Sequence, residues 1–270
     1  MTDRFGMHPE VLGTEAIARF TRHLVELADP ERLDRPVETC GDWTMADLIW
    51  HLTEVQSFWA WIIENRPAPV EAAVMPDRAV PAALRAQLID ANDRLCGALD
   101  KAPFDDPTWT WHPEHKTVDF SIRRQTHEAL IHCFDAVLAT GGPAPDVGSL
   151  LAADGFDELV TVMAGGVPEW ADHKPGDRLL GVHAVDTGDR WLLDFGTISG
   201  RSPRGTDYID EPTIVVVDPE SSPTPSAELS GPALDLNLWA WGRGPIDGLT
   251  IHGDDDLVAS LRTLIIDSTQ

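Results

Sequence analysis

Residues 123–136, RRQTHEALIHCFDA, put an acid and an imidazole where any fold has to account for them. On a helix, Glu128 and His132 are four residues apart and project from one face, about 5–6 Å from each other. Asp135 follows on the same stripe, flanked by the apolar Ile131 and Leu138. A carboxylate and an imidazole turned toward a core are costly unless something satisfies them. A divalent metal does so if a third ligand comes from another helix. His51, at the end of WTMADLIWH, is the candidate for that ligand.

The helices are read from period and punctuation. Residues 11–28 carry Leu12, Ile17, Phe20, Leu24 and Leu27 near helical spacing, and Pro30 closes them. Thr44 and Asp47 form the N-cap and N3 pair of a capping arrangement, with Trp43 placed to staple onto Leu48. The helix so started carries Leu48, Leu52, Val55, Trp59 and Ile62 and ends at Pro67 and Pro69. His51 lies between Leu48 and Val55 on the wheel and therefore faces inward. Residues 80–99 give a third helix on Leu84, Leu88, Leu95 and Leu99. Residues 120–139 give a fourth, terminated by Gly141-Gly142-Pro143. Four such helices predict an antiparallel bundle over residues 1–145.

Composition shifts after Pro145. A further helix at 149–164 precedes strand-like segments at 178–186, 189–195 and 213–217, with Thr187-Gly188 as a hairpin turn. Residues 200–206 and 219–225 read as loops rich in Gly, Pro, Ser and Thr. A short apolar helix in GPALDLNLWAWGRG, a strand at 249–252 and a helix opened by Asp254-Asp255-Asp256 complete the chain. Those acids suit the positive end of a helix dipole. The predicted class is α+β: a helical bundle, then a smaller α/β domain over residues 146–270.

Two histidines and a glutamate from two helices leave a coordination position open, as catalytic zinc sites do. Zinc lowers the pKa of a bound water or thiol. Nitrogen and oxygen donors also admit nickel, manganese or iron. Each residue has a plainer reading. His51 alone reads as a hydrogen-bonded core histidine, Glu128 as a surface partner of Arg124, and Asp135 as solvent-facing. The functional reading of Asp135 is a partner that orients a ligand histidine. A metalloprotease helix is excluded, because His127 and His132 are five residues apart, about 140° around the helix. His112 and His115 have HxxH spacing in a Pro-Trp-rich loop, which reads as loop packing or contacts at a substrate mouth. Cys133 reads as a small apolar residue. No GxSxG and no Gly-rich phosphate loop follows a strand.

Charge narrows the function further. Acidic residues outnumber basic ones 45 to 20, for a net charge of −25, a field that repels nucleic-acid phosphates and anionic lipid. The three cysteines form no CxxC and no even set, which fits a reducing compartment. The first ten residues are polar, and no apolar run reaches the roughly 18–20 residues of a membrane span. The expectation is a soluble, cytoplasmic protein with neither nucleic acid nor membrane as partner.

Three segments carry a resemblance. TCGDWTMADLIWHL (39–52) resembles the Trp-x-x-x-Asp-Leu-x-x-His-Leu segment of the mycothiol-dependent maleylpyruvate isomerase family. RRQTHEALIHCFDA resembles that family's second metal segment. GPALDLNLWAWGRG with LTIHGDDDLVASL resembles the close of its C-terminal domain. The resemblance implies a DinB-like four-helix bundle followed by a sterol-carrier-like domain. It implies zinc on His51, Glu128 and His132, and mycothiol as a thiol cofactor. In an isomerase of this kind a thiolate adds to a cis double bond, the new single bond rotates, and loss of the thiol leaves the trans product. Other members transfer the thiol to small electrophiles. Arg243 resembles the family's C-terminal arginine, suited to holding a substrate carboxylate, though it also suits a helix C-terminus. A second, N-terminal arginine of the family has two candidates here, Arg78 and Arg85. The expected activity is therefore a metal-dependent, mycothiol-using transferase or isomerase. The alternative is a non-catalytic protein of the same fold that holds a metal or an apolar ligand.

Overall fold

The computed structural model describes residues 5–218 and 224–269. The chain forms two compact units, one ending at Asp146 and the other beginning at Val147. In the first unit four helices carry the core: α1 (Thr14–Leu27), α2 (Met45–Asn65), α3 (Leu84–Leu99) and α4 (Val118–Thr140). Helix α1 starts three residues later than its apolar pattern suggests, because Leu12 is extended and Gly13 takes the N-cap. Helix α3 is likewise preceded by a 3-10 turn at Pro81–Ala83. Thr44 and Asp47 form the expected capping box at the head of α2, with both reciprocal bonds made. Gly141 ends α4 in the left-handed region, at φ 64°, which glycine adopts without a Cβ penalty.

Both α1 and α2 pack against α3 and α4. Their directions follow from the contacts. Thr14 at the start of α1 bonds Asp100 beyond the end of α3, and Arg85 at the start of α3 reaches the Val25 carbonyl. Leu48 and Ile49 share a buried cluster with Leu84 and Leu88, while Glu64 binds Arg94 further along. Helices α2 and α3 are therefore parallel, as are α1 and α4, whose C-terminal residues Leu24, Leu27 and Ala136 share that same cluster. This corrects the simple antiparallel bundle expected from the sequence. Residues 66–83 make the difference. Helix α2 is about 31 Å long at 1.5 Å per residue, and the connection, carrying Pro67, Pro69, Pro76 and Pro81, is long enough to run back along it.

The core holds Ile17, Phe20, Leu24, Met45, Leu48, Ile49, Leu52, Leu88 and Leu95 with no exposed surface. Burying each such side chain stabilises the fold by about 1.5–3 kcal/mol. One polar knot interrupts it. Gln56 donates to Thr21 at 2.8 Å, and Asn92 donates to both Thr21 and Gln56 at 3.2 Å, all three fully buried. These bonds set the register of α1, α2 and α3, because a slipped helix strands a buried amide.

The second unit begins with α5 (Ser149–Glu158), which continues into a π-helical turn at Leu159–Met163. A six-stranded sheet follows: β1 (Ala171–Lys174), β2 (Leu179–Ala184), β3 (Arg190–Arg201), β4 (Asp207–Val216), β5 (Ala227–Gly231) and β6 (Thr250–Gly253). Strand β3 pairs antiparallel with β1, β2 and β4, β2 continues in parallel to β5, and β5 pairs with β6. Helices α6 (Ala233–Ala240) and α7 (Asp255–Thr269) pack on β5. The mixed helix-and-sheet class is the one expected. Strands β1 and β5 lie outside the strand-like segments of the sequence, and Gly200 and Arg201 belong to a strand rather than the expected loop. The reason is steric: a Cβ on Gly200 would sit 2.5 Å from the Trp170 carbonyl oxygen. This glycine admits a close strand neighbour and marks no turn. Of the loop expected at 219–225, residues 219–223 lie outside the described residues. Among the described residues no helix is long and apolar enough to cross a membrane.

Asp47 carries a testable consequence. Bonds from the Thr44 hydroxyl and backbone N–H, with the Arg78 charge, outweigh the upward effect of burial and pull its carboxyl down to about 2. A depressed acid stabilises the fold above its unfolded pKa of about 3.9, and that contribution is lost as pH falls toward 2. Asp47→Ala is expected to cost about 1 kcal/mol at neutral pH, with the gap between variant and wild type closing below about pH 3 in urea melts.

Candidate metal centre

Helices α2 and α4 run antiparallel where they meet, since His51 contacts Glu128 while Trp59 lies against Phe120. This brings together the three residues singled out from sequence. His51 Nε2 and His132 Nε2 each lie 3.2 Å from the same atom, Glu128 Oε1. The three donor atoms all fall within 4.8 Å of one another. Ligand bonds of about 2.0–2.1 Å around a tetrahedral ion separate neighbouring donors by about 3.3 Å, so the spacing suits a small divalent cation. Both rings are held from outside. The Trp43 ring lies 4.8 Å from the His51 ring and 6.4 Å from the His132 ring.

The far sides of Glu128 and His132 are occupied. Arg124 Nη2 donates to Glu128 Oε2 at 3.1 Å. Arg124 is 5% exposed, so this is an interior pair and not the surface contact that i,i+4 spacing alone suggests. His132 Nδ1 lies 2.9 Å from Asp135 Oδ2. Asp135 is fully buried, which corrects its solvent-facing reading, whereas Leu138 is half exposed and does not line the stripe. Burial alone would raise the Glu128 carboxyl, but bonds from His132 and His51 and the charges of His132 and Arg124 hold it well below the carboxylate range. Burial alone would lower His132, but Asp135, Cys40 and Glu128 hold it well above the imidazole range.

The donor chemistry fits a metal. With its Nδ1 proton given to Asp135, a neutral His132 turns the Nε2 lone pair toward a carboxylate oxygen that also faces His51. Two such acceptors face each other comfortably only with a proton or a cation between them.

Several residues around this cluster carried no signal in sequence. Thr39 and Cys40 reach Asp135 from about ninety-five positions away in the chain. Ser121 and Gln125 fall on the same α4 stripe as Glu128 and His132. Both are buried, and neither the Ser121 hydroxyl nor the Gln125 amide has a hydrogen-bond partner among the described residues. The HxxH pair is loop packing: His112 Nδ1 accepts from the backbone of Glu114 and His115, and His115 packs on Phe5 with ring centres 3.8 Å apart. Burial pushes the Cys133 thiol up to about 12 and, with nearby Asp100 and Asp93, the Cys96 thiol up to about 11.

Residues 14–137 match the model of the mycothiol maleylpyruvate isomerase N-terminal domain, and residues 151–260 match that of the MDMPI C-terminal domain. The chain belongs to the mycothiol-dependent maleylpyruvate isomerase family. Crystal structures of the mycothiol-dependent maleylpyruvate isomerase and of a histidine-to-alanine mutant of it share this fold, each with a TM-score of 0.57. Each is 17% identical to this chain, covering 92% of it and 97% of the solved chain. No curated protein sequence matches.

Within this member of the isomerase family the remaining sequence candidates have definite surroundings. Arg78 binds Asp47 and braces the head of α2, and Arg85 binds the Val25 carbonyl near the end of α1. Neither joins the donor cluster, and the arginine that does is Arg124. Arg243 follows α6 in the second unit, donates to the Trp241 carbonyl at 2.6 Å and lies 5.8 Å over the Trp241 ring.

The thiol environments predict reactivity. Cys96 and Cys133 stay protonated at neutral pH and are expected to resist alkylation in the native protein, reacting only once it is unfolded. Peptide mass spectrometry after brief iodoacetamide treatment checks this.

Proposed function

We propose that this chain is a metal-dependent enzyme that uses mycothiol as a transferase or isomerase on a small electrophile. The observation that supports it most is the convergence of two imidazole nitrogens on one carboxylate oxygen at 3.2 Å. His51, Glu128 and His132 would hold the ion, and zinc suits their nitrogen and oxygen donors at this spacing. A divalent cation bound there would lower the pKa of a thiol brought to it. The chain's own residues do the rest. Asp135 keeps the Nδ1 proton of His132 and so fixes which nitrogen faces the ion. Arg124 holds the second oxygen of Glu128 and leaves the first to the ion.

A nucleophile from outside the chain suits this site. Cys96 and Cys133 are held as thiols, and Cys40 directs its hydrogen toward Asp135. An external thiol supplying the sulfur agrees with the family to which the chain belongs. Arg243 is assigned the role its resemblance implies, paired hydrogen bonds to a substrate carboxylate.

Elemental analysis and kinetics test the proposal. Wild-type protein purified without chelator is expected to carry about one zinc per chain, and His51→Ala to lose the metal. Mycothiol transfer to a model electrophile is expected to fall by more than about 100-fold in that variant. Full metal content in His51→Ala overturns the ligand set, and metal-loaded protein inert toward mycothiol and a panel of electrophiles favours a binding role. Arg243→Ala is expected to raise KM about tenfold or more with little change in kcat.

A further inference from the structure

Asp135 has no exposed surface, yet its two oxygens collect three donors. Thr39 Oγ1 donates to Oδ1 at 2.5 Å, His132 Nδ1 to Oδ2 at 2.9 Å and Cys40 Sγ to Oδ2 at 3.4 Å. Thr39 and Cys40 belong to the 3-10 turn Glu38–Cys40, which lies before the capping box of α2. That turn is pinned by its own backbone. Cys40 N–H bonds the Val37 carbonyl and Val37 N–H bonds the Trp43 carbonyl, each at 2.8 Å. Met45 N–H bonds the Arg35 carbonyl at 2.9 Å, closing the loop onto the first turn of α2. The Thr39 hydroxyl is therefore presented by a short, cross-braced element.

A buried carboxylate that shares one oxygen with a histidine is free to rotate about its own axis unless its other oxygen is held. Here the Thr39 hydroxyl holds that other oxygen. We infer that Thr39, assisted by Cys40, is a positioning residue: it locks the Asp135 carboxylate so that His132 keeps its proton on Nδ1 and presents Nε2 to the point shared with His51 and Glu128. This rests in part on the metal reading above. The same atoms admit a rival. The donor atoms of Cys40, His132 and Asp135 also lie within 4.8 Å of one another, close enough to hold an ion of their own. Such an ion would need the protons that Nδ1 and Sγ now direct at Asp135. Thr39 can donate to that carboxylate in either arrangement, so the protons on Nδ1 and Sγ are what separate the two. The hydrogen-bond clamp accounts for all three donors.

Chelator competition with zinc, on the full chain, is the test. Thr39→Val keeps the shape and removes the hydroxyl, and is expected to weaken zinc binding by about 10–100-fold. Thr39→Ser is expected to recover most of that affinity. Cys40→Ala is expected to cost less than Thr39→Val, because a thiol is the weaker donor. In an Asp135→Asn background, Thr39→Val is expected to add little further loss. A second readout needs no metal: in metal-free protein the Nδ1 proton of His132 is expected to be seen by NMR, and to exchange faster in Thr39→Val. Melting that shifts in Thr39→Val, with zinc affinity and the Nδ1 proton both unchanged, makes Thr39 merely structural and overturns the inference. A sulfur-to-metal charge-transfer band in the cobalt-substituted wild type that vanishes in Cys40→Ala makes Cys40 a ligand and also overturns it. If the wild type takes up no zinc, the metal reading fails separately, and the exchange of the Nδ1 proton decides this inference by itself.

Discussion

One carboxylate oxygen, Glu128 Oε1, faces two imidazole nitrogens at 3.2 Å, and much of the first unit serves to keep it there. The arrangement is electrostatically demanding. The largely buried acid sits against an arginine and two histidines, and one of those histidines is held in turn by the buried Asp135. Removing any one group leaves another buried and unmatched, a situation far costlier than the net worth of a single hydrogen bond. Such a cluster persists only in a scaffold that cannot slide.

That rigidity has identifiable sources. The capping box at Thr44 and Asp47 sets where α2 begins, and hence where His51 sits two turns later. The buried Thr21–Gln56–Asn92 knot ties three helices in one register. Antiparallel packing of α2 on α4 then brings His51 level with Glu128 and His132. A shift of one residue along α2 would turn the imidazole by about 100° and remove it from the cluster. The long 66–83 connection, which lets α3 run parallel to α2, leaves the contact between α2 and α4 undisturbed.

The chain's own cysteines are poorly placed to act as nucleophiles. A cysteine becomes nucleophilic where positive charge and solvent favour its thiolate. Cys133 is sealed in the core, Cys96 is half-buried beside Asp93 and Asp100, and Cys40 serves as a hydrogen-bond donor. The acidic surface, at a net charge of −25, offers anionic substrates no long-range attraction, so selectivity has to arise at short range.

The sequence by itself determined the local features: where α2 starts, where α4 stops, that Glu128 and His132 share a face, and that His51 turns inward. Those follow from periodicity, caps and glycine, which act within a few residues. It also determined the family through three short segments in a fixed order. Only the tertiary structure decided which way the helices run, that Arg124 is an interior partner, and that Thr39 and Cys40 close around Asp135. Helix direction depends on what a long, proline-bearing connection does in space, and no residue within it records the answer. The Thr39–Asp135 contact joins positions 96 apart, a pairing that neither residue type announces. In the second unit, Gly200 looks like a loop glycine for a related reason. Its missing side chain makes room for a neighbouring strand, and a glycine spared for packing looks in sequence the same as one placed for a turn.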